Sequence, residues 1–389
     1  MKENPKTGLI LSGGGARAAY QVGVLRGIVN ILKQAGWPPH QNPFPIICGT
    51  SAGAINGAGL ACYANNFALG LRKLENVWSE LGAHQVYRTD SLSMLRSGLS
   101  WTSFLTFGWM FRRWVNTAPR SLFDNAPLAE LLYELFEVQS LETNLASGSL
   151  HALAITASSY TSGMHLTFYQ TLADVKPWTR SQRLAQRDNI GVPHLLASSA
   201  LPFIFPSVPL MWNGRWEYCG DGSMRQVAPI APAIHLGAEK ILIIGAGRMF
   251  ETRRDTPGEI SYPTIAQIAG HAMASIFLDG LAVDIERLTR INSTLSLMPE
   301  DKKLQSSLRP IKTLLIAPSK RVDDIASRHI KSLPKPIRSM LARIGATEIA
   351  GSALVSYLLF EASFTNELIT LGITDTMQVR DQVLAFFEA

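Results

Sequence analysis

Residues 45–53 read Pro-Ile-Ile-Cys-Gly-Thr-Ser-Ala-Gly, and the fold is best predicted outward from this stretch. The apolar residues 45–48 predict a short buried strand. Residues 49–53 predict a tight turn, and a helix of small residues follows to about Tyr63. A strand, a sharp turn and a helix in this order are typical of a parallel sheet with helices on its faces.

The same order of elements occurs at the start of the chain. Residues 8–12 form an apolar run, three glycines interrupt it at 13–15, and apolar residues then recur at helical spacing as far as Leu32. The repeated pattern predicts an α/β fold with a mainly parallel central sheet flanked by helices. Two further strands are predicted at 151–157 and 165–170, and Asn213-Gly214 predicts a β-hairpin.

The pattern becomes mainly helical after about residue 252. We therefore expect an α/β domain at 1–250 and a helical C-terminal extension at 251–389 that packs on it. Residues 300–340 are polar and basic and contain four prolines, which favours a connector or surface helices.

Composition limits the function classes. Of the 389 residues 47% are hydrophobic and 17% are charged, enough apolar material for a large core, which excludes disorder as the main state. The net charge of +6 fits either a solvated surface or a protein that approaches anionic membranes. No zinc-finger spacing, lysine-rich tract or RNA-binding aromatic signature is present, so nucleic acid is not an expected partner.

Cellular location is predicted from the cysteines and the N-terminal pattern. Three widely spaced cysteines imply no disulfide framework and favour a reducing compartment. The first residues show no signal-peptide pattern, and no clear membrane span is evident. We expect a cytoplasmic protein with peripheral membrane contact.

Ser51 is the candidate nucleophile because residues 49–53 match the pattern G-x-S-x-G. A serine on a sharp strand-to-helix turn exposes its hydroxyl, and the positive end of the helix dipole favours a developing alkoxide. The alternative is a Gly-Ser turn that matches the short pattern by chance. The position between an apolar strand and a helix favours catalysis.

A glycine loop after the first strand is the candidate oxyanion hole. Its backbone N–H groups would stabilise the oxyanion that ester hydrolysis creates. The loop residues are Gly13, Gly14, Gly15, Ala16 and Arg17. Arg17 either adds positive potential or fixes the loop to an acidic residue. The pattern G-x-G-x-x-A also matches dinucleotide-binding loops, but no acidic residue lies between Glu3 and Glu75 to bind the ribose.

Asp221, between two glycines, is the candidate general base. The alternative is an ordinary Asp-Gly turn. A catalytic triad would need a histidine later in the chain, and the candidates are His235, His271 and His329. None lies in a glycine-rich loop, so a Ser-Asp dyad is the better interpretation.

These three motifs, in this order, resemble the patatin-like phospholipase family. Residues 197–202 and Phe205-Pro206 also resemble the segment that precedes the catalytic aspartate in that family, and the resemblance runs from about 8 to 245. It implies a three-layer sandwich, Ser51 as nucleophile, Asp221 as base, the glycine loop as oxyanion hole, and no cofactor. One departure is Ala18, where the family usually has glycine and where a methyl group narrows the loop. Common metal-binding patterns are absent, so no metal is expected.

We therefore expect a lipid acyl hydrolase that acts on phospholipids, lysophospholipids or neutral acyl esters. Two alternatives stay open: a soluble esterase or thioesterase, and a catalytically silent lipid-binding scaffold. Residues 98–111 are uncharged and rich in aromatic residues, but are shorter than the roughly 20 residues of a membrane span. The expected lipid contacts there are Trp101, Phe104 and Trp109, and the alternative is a segment packed against the core.

Overall fold

The computed structural model describes residues 6–89, 120–248, 262–348 and 351–388. Within these ranges ten strands form one sheet. The strands are β1 (Thr7–Leu11), β2 (Ile46–Thr50), β3 (Ala152–Ser159), β4 (His165–Thr171), β5 (Thr179–Arg180), β6 (Arg183–Arg187), β7 (Val208–Trp212), β8 (Arg215–Asp221), β9 (Lys240–Ile244) and β10 (Lys312–Ile316).

The strand order is β10-β9-β1-β2-β3-β4-β6-β5, and β8 pairs with both β3 and β7. The five strands from β10 to β3 are all parallel. Every residue of β1, β2 and β9 is buried, as in strands that are covered by helices on both faces. The mainly parallel sheet flanked by helices, predicted from the sequence, is confirmed.

Helices cover both faces of the sheet and form most of the C-terminal part. The described helices are α1 (Ala19–Gln34), α2 (Ala52–Cys62), α3 (Phe67–Glu80), α4 (Ala83–Val86), α5 (Ala126–Leu135), α6 (Val138–Ala146), α7 (Val192–Ser198), α8 (Ala231–His235), α9 (Ile265–Ala274), α10 (Gly280–Ser296), α11 (Glu300–Gln305), α12 (Val322–His329), α13 (Lys335–Arg343), α14 (Ser352–Leu358), α15 (Ala362–Gln378) and α16 (Arg380–Glu388).

Both predicted pairs of antiparallel strands are present. β3 pairs with β4, and β7 pairs with β8 around Asn213 and Gly214. These two residues have φ of 46° and 77°, the positive values that a two-residue type I′ turn requires. Local turn chemistry therefore determines this hairpin.

One expectation for the C-terminal region is wrong. Residues 300–340 were expected to be a connector or surface helices, but β10 lies among them and extends the central sheet by pairing with β9. The strand has only five residues and lies between two prolines in a basic stretch, so its local composition resembles a surface segment.

By length and composition alone, one helix in the described ranges is apolar enough to cross a membrane. It runs continuously through Ile265–Ser296 and includes a π-helical turn at Ser275–Asp279. Phe277, Leu281 and Leu288 are buried against the rest of the chain. Their spacing is that of a helix with one face packed on a core.

Candidate active site

Ser51 lies at the turn between β2 and α2. Its φ of 56° and ψ of −132° are values that non-glycine residues seldom adopt, as expected for a serine on a strained nucleophile turn. The motif glycines allow this turn. A Cβ on Gly49 would lie 2.4 Å from the carbonyl oxygen of Gly53, and one on Gly53 would lie 2.3 Å from that of Leu11.

The pairing of β3 brings Ser51 close to Asp221. On one edge of β3, Thr156 pairs with Thr50 at the end of β2. The next residue of β3, Ala157, pairs with Asp221 at the end of β8, which runs in the opposite direction. The ends of β2 and β8 therefore meet beside β3, although the two residues are far apart in sequence.

Asp221 is fully buried, and its carboxylate lies beside the Ser51 side chain. Its Oδ1 accepts a hydrogen bond from Ser223 N at 2.9 Å. Burial raises the pKa of Asp221 to about 6, although the neighbouring Ser51 hydroxyl lowers it. Within the described ranges Oδ2 makes no hydrogen bond of normal geometry.

One short segment supports both residues from behind. The Ser198 hydroxyl accepts a hydrogen bond from Ser51 N at 2.9 Å. Two residues later the Ala200 carbonyl accepts one from Asp221 N at 3.0 Å. In the sequence, residues 197–202 were identified only by their resemblance to the family, and neither hydrogen bond was predicted.

The glycine loop packs between three other parts of the chain. A Cβ on Gly13 would lie 2.4 Å from Ser223 Oγ, beside the Asp221 turn. Gly15 has a φ of +55°, and a Cβ there would lie 2.3 Å from the carbonyl oxygen of Tyr357 in α14. Gly15 and Ser51 also line the same cavity. The loop thus needs glycine for close backbone contact and reaches the cavity at Ser51.

The neighbouring loop residues have ordinary roles. A Cβ on Gly14 would lie 2.5 Å from that of Ala246 after β9. Ala16 is fully buried. Ala18 has a right-handed helical φ of −66°, so the backbone does not require the glycine usual in the family.

Arg17 points away from the nucleophile and fixes the loop to the C-terminal region. Its guanidinium donates to Asp323 Oδ1 at 2.7 Å and to Ser356 Oγ at 2.8 Å. It also lies 4.0 Å from the centre of the Tyr357 ring. Of the two roles considered for Arg17, the structure therefore supports a structural anchor.

A buried polar network behind the loop was not predicted. Gln21 donates to the Ser12 carbonyl at 2.7 Å and accepts a hydrogen bond from Asn56 at 2.9 Å. Asn56 in turn accepts one from Trp78 Nε1 at 2.8 Å. The only signal in the sequence was a polar residue within each of two small or apolar helices, α1 and α2. The network ties the loop to α1, α2 and α3.

No histidine proposed for a triad contacts Ser51 or Asp221 among the described contacts. His235 stacks on Trp178 at 4.5 Å, His329 pairs with Glu367 at 2.6 Å, and His271 is exposed on α9.

His165, which the sequence did not single out, hydrogen-bonds to the backbone of Gly222. Burial, and then the charge of Arg183, lowers its pKa to about 4, so His165 is neutral at physiological pH.

A cavity of about 50 Å³ adjoins Ser51. Its side-chain lining is almost entirely apolar: Ala52, Ile55, Val77, Trp78, Leu81, Val86, Leu128, Leu131, Leu201, Phe205 and Phe360, with Ser199. Such a lining suits a hydrocarbon chain next to the nucleophile. The expected lipid contacts Trp101, Phe104 and Trp109 lie outside the described residues.

Comparison with known proteins agrees with the motifs. A model of the patatin-like phospholipase family matches residues 9–234, more than half of the chain. The chain belongs to the patatin-like phospholipase family. A solved structure, VipD from Legionella pneumophila, is 13% identical with a TM-score of 0.34, over 98% of this chain and 67% of that one. A search of the curated proteins found no match.

Proposed function

We propose that the chain is a lipid acyl hydrolase that cleaves carboxylic esters of phospholipids or lysophospholipids through Ser51 and Asp221. The observation that carries this proposal is the placement of Ser51, on a strained turn beside a buried carboxylate and an apolar cavity. An apolar cavity at the nucleophile matches the hydrocarbon part of such an ester.

In the first step Asp221 accepts the hydroxyl proton as Ser51 Oγ attacks the ester carbonyl. The bond to the leaving alcohol then breaks, and Asp221 returns the proton to the alcohol oxygen. In the second step Asp221 takes a proton from water, which attacks the acyl-serine. The bond between the acyl carbon and Ser51 Oγ then breaks, the fatty acid leaves, and Asp221 returns the proton to Ser51 Oγ. Backbone N–H groups of the glycine loop would stabilise the oxyanion in both steps.

Asp221 is suited to this role because of its environment. An ordinary aspartate, with a pKa near 3.9, is a weak base at neutral pH. Burial raises the pKa of Asp221 to about 6, closer to the pH at which a cytoplasmic enzyme works. No neighbouring negative charge is needed to explain this shift, since burial is the one cause that raises the pKa.

We also propose a peripheral position at the cytoplasmic face of a membrane. Strand β8, which carries Asp221, exposes Trp216 (65%) and Tyr218 (57%) on its outer side, and Met211 pairs with Trp216 across the hairpin. Tryptophan and tyrosine favour the lipid headgroup region, and the net charge of +6 favours anionic lipid. Trp101, Phe104 and Trp109 remain candidate contacts from the sequence alone.

A soluble esterase for short acyl chains is the second candidate. The cavity beside Ser51, about 50 Å³, is about a third of the roughly 150 Å³ of an apolar protein cavity that accommodates one benzene molecule. On its own it would hold only a short chain. Such an enzyme would hydrolyse monomeric and aggregated substrates at similar rates.

The test measures fatty-acid release from phospholipid and lysophospholipid vesicles and from a soluble butyrate ester. We expect Ser51→Ala to abolish release and Asp221→Asn to lower kcat by several orders of magnitude. His235→Ala, His271→Ala and His329→Ala should each cost far less. Hydrolysis that survives in Ser51→Ala, or one histidine as essential as Asp221, would overturn the proposed mechanism.

A further inference from the structure

A second apolar cavity lies next to the one at Ser51. Its volume is about 120 Å³, more than twice that of the first. It is lined by Ile55, Gly59, Tyr63, Gly70, Lys73, Leu74, Val77, Leu132, Glu134, Leu135, Phe136, Glu137 and Leu195. Ile55 and Val77 line both cavities. Two side chains therefore form a shared wall, and the cavities are no more than one side chain apart there.

Helix α2 leads from the first cavity to the second. Ser51 lines the first, Ile55 lines both, and Gly59 lines the second. These positions are four residues apart, so they lie on the same face of the helix. Gly59 has no side chain, and a Cβ there would have no neighbour closer than Leu74 Cδ1 at 3.8 Å. The second cavity is open at this point because residue 59 is glycine.

Helix α3 follows the same path in the reverse direction. Leu81 and Trp78 line the first cavity, Val77 lines both, and Leu74 and Lys73 line the second. The order of residues along the helix thus matches the order of the two cavities.

Helix α5 and the segment at α7 are consistent with this path. Leu128 and Leu131 of α5 line the first cavity, whereas Leu132 and Leu135 line the second. Near α7, Ser199 lines the first cavity and Leu195 the second. Four separate parts of the chain therefore line both cavities.

We propose that the two cavities form one acyl tunnel and that the enzyme selects acyl chains of medium length. This inference rests on the proposed function, since it extends the same site. From Ser51, the residue before α2, to Gly59 the chain advances by eight helical steps, or about 12 Å. Carbon–carbon bonds of about 1.5 Å in a zigzag fill that length with roughly ten carbons. The side chains of Ile55 and Val77 rotate aside when such a chain enters.

The far end of the tunnel sets the upper limit. There Lys73 Nζ donates to Tyr63 Oη at 2.6 Å, and Glu134 and Glu137 are exposed. Charged and hydroxyl groups at this end disfavour the methyl end of a longer chain. Each methylene buried before this point strengthens binding by about fourfold.

The experiment measures kcat/KM for p-nitrophenyl esters of 4, 8, 10, 12 and 16 carbons, a series that brackets the roughly ten-carbon length of the tunnel. Gly59→Leu places a side chain in the second cavity, and Asn76→Leu is a matched control, since Asn76 is exposed on α3 and lines neither cavity. We expect the wild type to prefer esters near ten carbons. The ratio of decanoate to butyrate hydrolysis should fall at least tenfold in Gly59→Leu and stay the same in Asn76→Leu.

Calorimetric binding of decanoate separates this inference from the proposed function. Decanoate should bind the wild type at least tenfold more tightly than Gly59→Leu, whether or not the protein hydrolyses esters. Binding without any hydrolysis would refute the proposed function and support the tunnel. Hydrolysis with the same chain-length profile in both proteins, and with folding shown intact by circular dichroism, would refute the tunnel.

Discussion

The proposed chemistry depends on two properties of Asp221: its side chain is buried, and burial raises its pKa to about 6. Only the ionised carboxylate can accept the proton of Ser51. We therefore expect kcat/KM to fall tenfold per pH unit below about 6 and to level off above it. A pH–rate profile on a soluble ester measures this. A plateau that extends down to pH 4 would show that Asp221 is not the base.

The same burial predicts a stability cost at neutral pH. The unfolded chain releases the Asp221 proton near 3.8, whereas the folded chain holds it until about 6. Stability is therefore lost as the pH rises through this window, by about 3 kcal/mol in full. Asp221→Asn carries no charge, so it should melt at a higher temperature than the wild type at pH 8.

The pH dependence of this difference in melting temperature provides a control. At pH 4.5 Asp221 is largely protonated in the folded state but mostly ionised in the unfolded chain, so the difference in melting temperature between Asp221→Asn and the wild type should shrink to about a third of its value at pH 8. A difference in melting temperature that is the same at pH 4.5 and pH 8 would refute the assigned ionisation.

At the residue scale the sequence indicates the candidate catalytic groups but not the groups that hold them in place. Ser51, Asp221 and the glycine loop lie in short motifs that local turn geometry requires. Ser198 and His165 contact these motifs only after the sheet has formed. Their roles depend on pairing between distant strands, which local sequence does not encode.

At the scale of elements, α1 and α15 make a close helix pair. A Cβ on Gly23 of α1 would lie 2.0 Å from the carbonyl oxygen of Ile369, and one on Gly372 of α15 would lie 2.4 Å from that of Tyr20. The Tyr20 hydroxyl also donates to Asp375 at 3.0 Å. This contact joins the helix that follows the glycine loop to the C-terminal region.

Gly23→Ala should therefore destabilise the protein by about 1–3 kcal/mol, because the added methyl group forces the two backbones apart. Thermal unfolding measures the effect. Gly59→Ala is the matched control, since its nearest neighbour would lie at 3.8 Å and alanine is favoured in a helix by up to about 1 kcal/mol. Equal stability of Gly23→Ala and the wild type would refute the close packing.

Elements with a strong local signal were predicted correctly, and β10 was not. The hairpin at Asn213-Gly214 needs positive φ at both residues. Asn-Gly is a dipeptide that favours such values, so the sequence alone predicts the turn. β10 is part of the sheet because it pairs with β9, to which it lies parallel at the edge of the sheet. Its five residues are too few to show a clear hydrophobic period, and the residues around them are polar.

At the scale of the whole molecule, the C-terminal region helps to build the candidate site. Phe360 lines the cavity at Ser51, Tyr357 contacts Gly15, and Asp323 pairs with Arg17. The sequence division at residue 250 predicts a C-terminal extension that packs on the α/β domain but does not indicate which contacts it makes. Such contacts arise from tertiary packing, so the motifs alone could not predict that both regions form one site.

The proposed membrane contact concerns the surface of the whole molecule. Substitutions in the hairpin of β7 and β8 test it directly. Trp216→Ser together with Tyr218→Ser removes two exposed aromatic rings without opening the core. We expect weaker binding to anionic vesicles and slower hydrolysis of aggregated lipid, with the soluble ester hydrolysed at the wild-type rate. Trp101→Ser, Phe104→Ser and Trp109→Ser together should have the same effect if that segment also docks. Equal losses on both substrates with a lower melting temperature would indicate a structural role instead.

The central claim is that Ser51 is an activated nucleophile, and covalent labelling tests it most directly. A fluorophosphonate probe reacts with serines that a neighbouring base activates, and peptide mass spectrometry locates the modified residue. We expect one probe per chain on Ser51, no labelling of Ser51→Ala, and labelling of Asp221→Asn slowed by at least 100-fold. Labelling at another serine, or no labelling of the folded wild-type protein, would contradict the account.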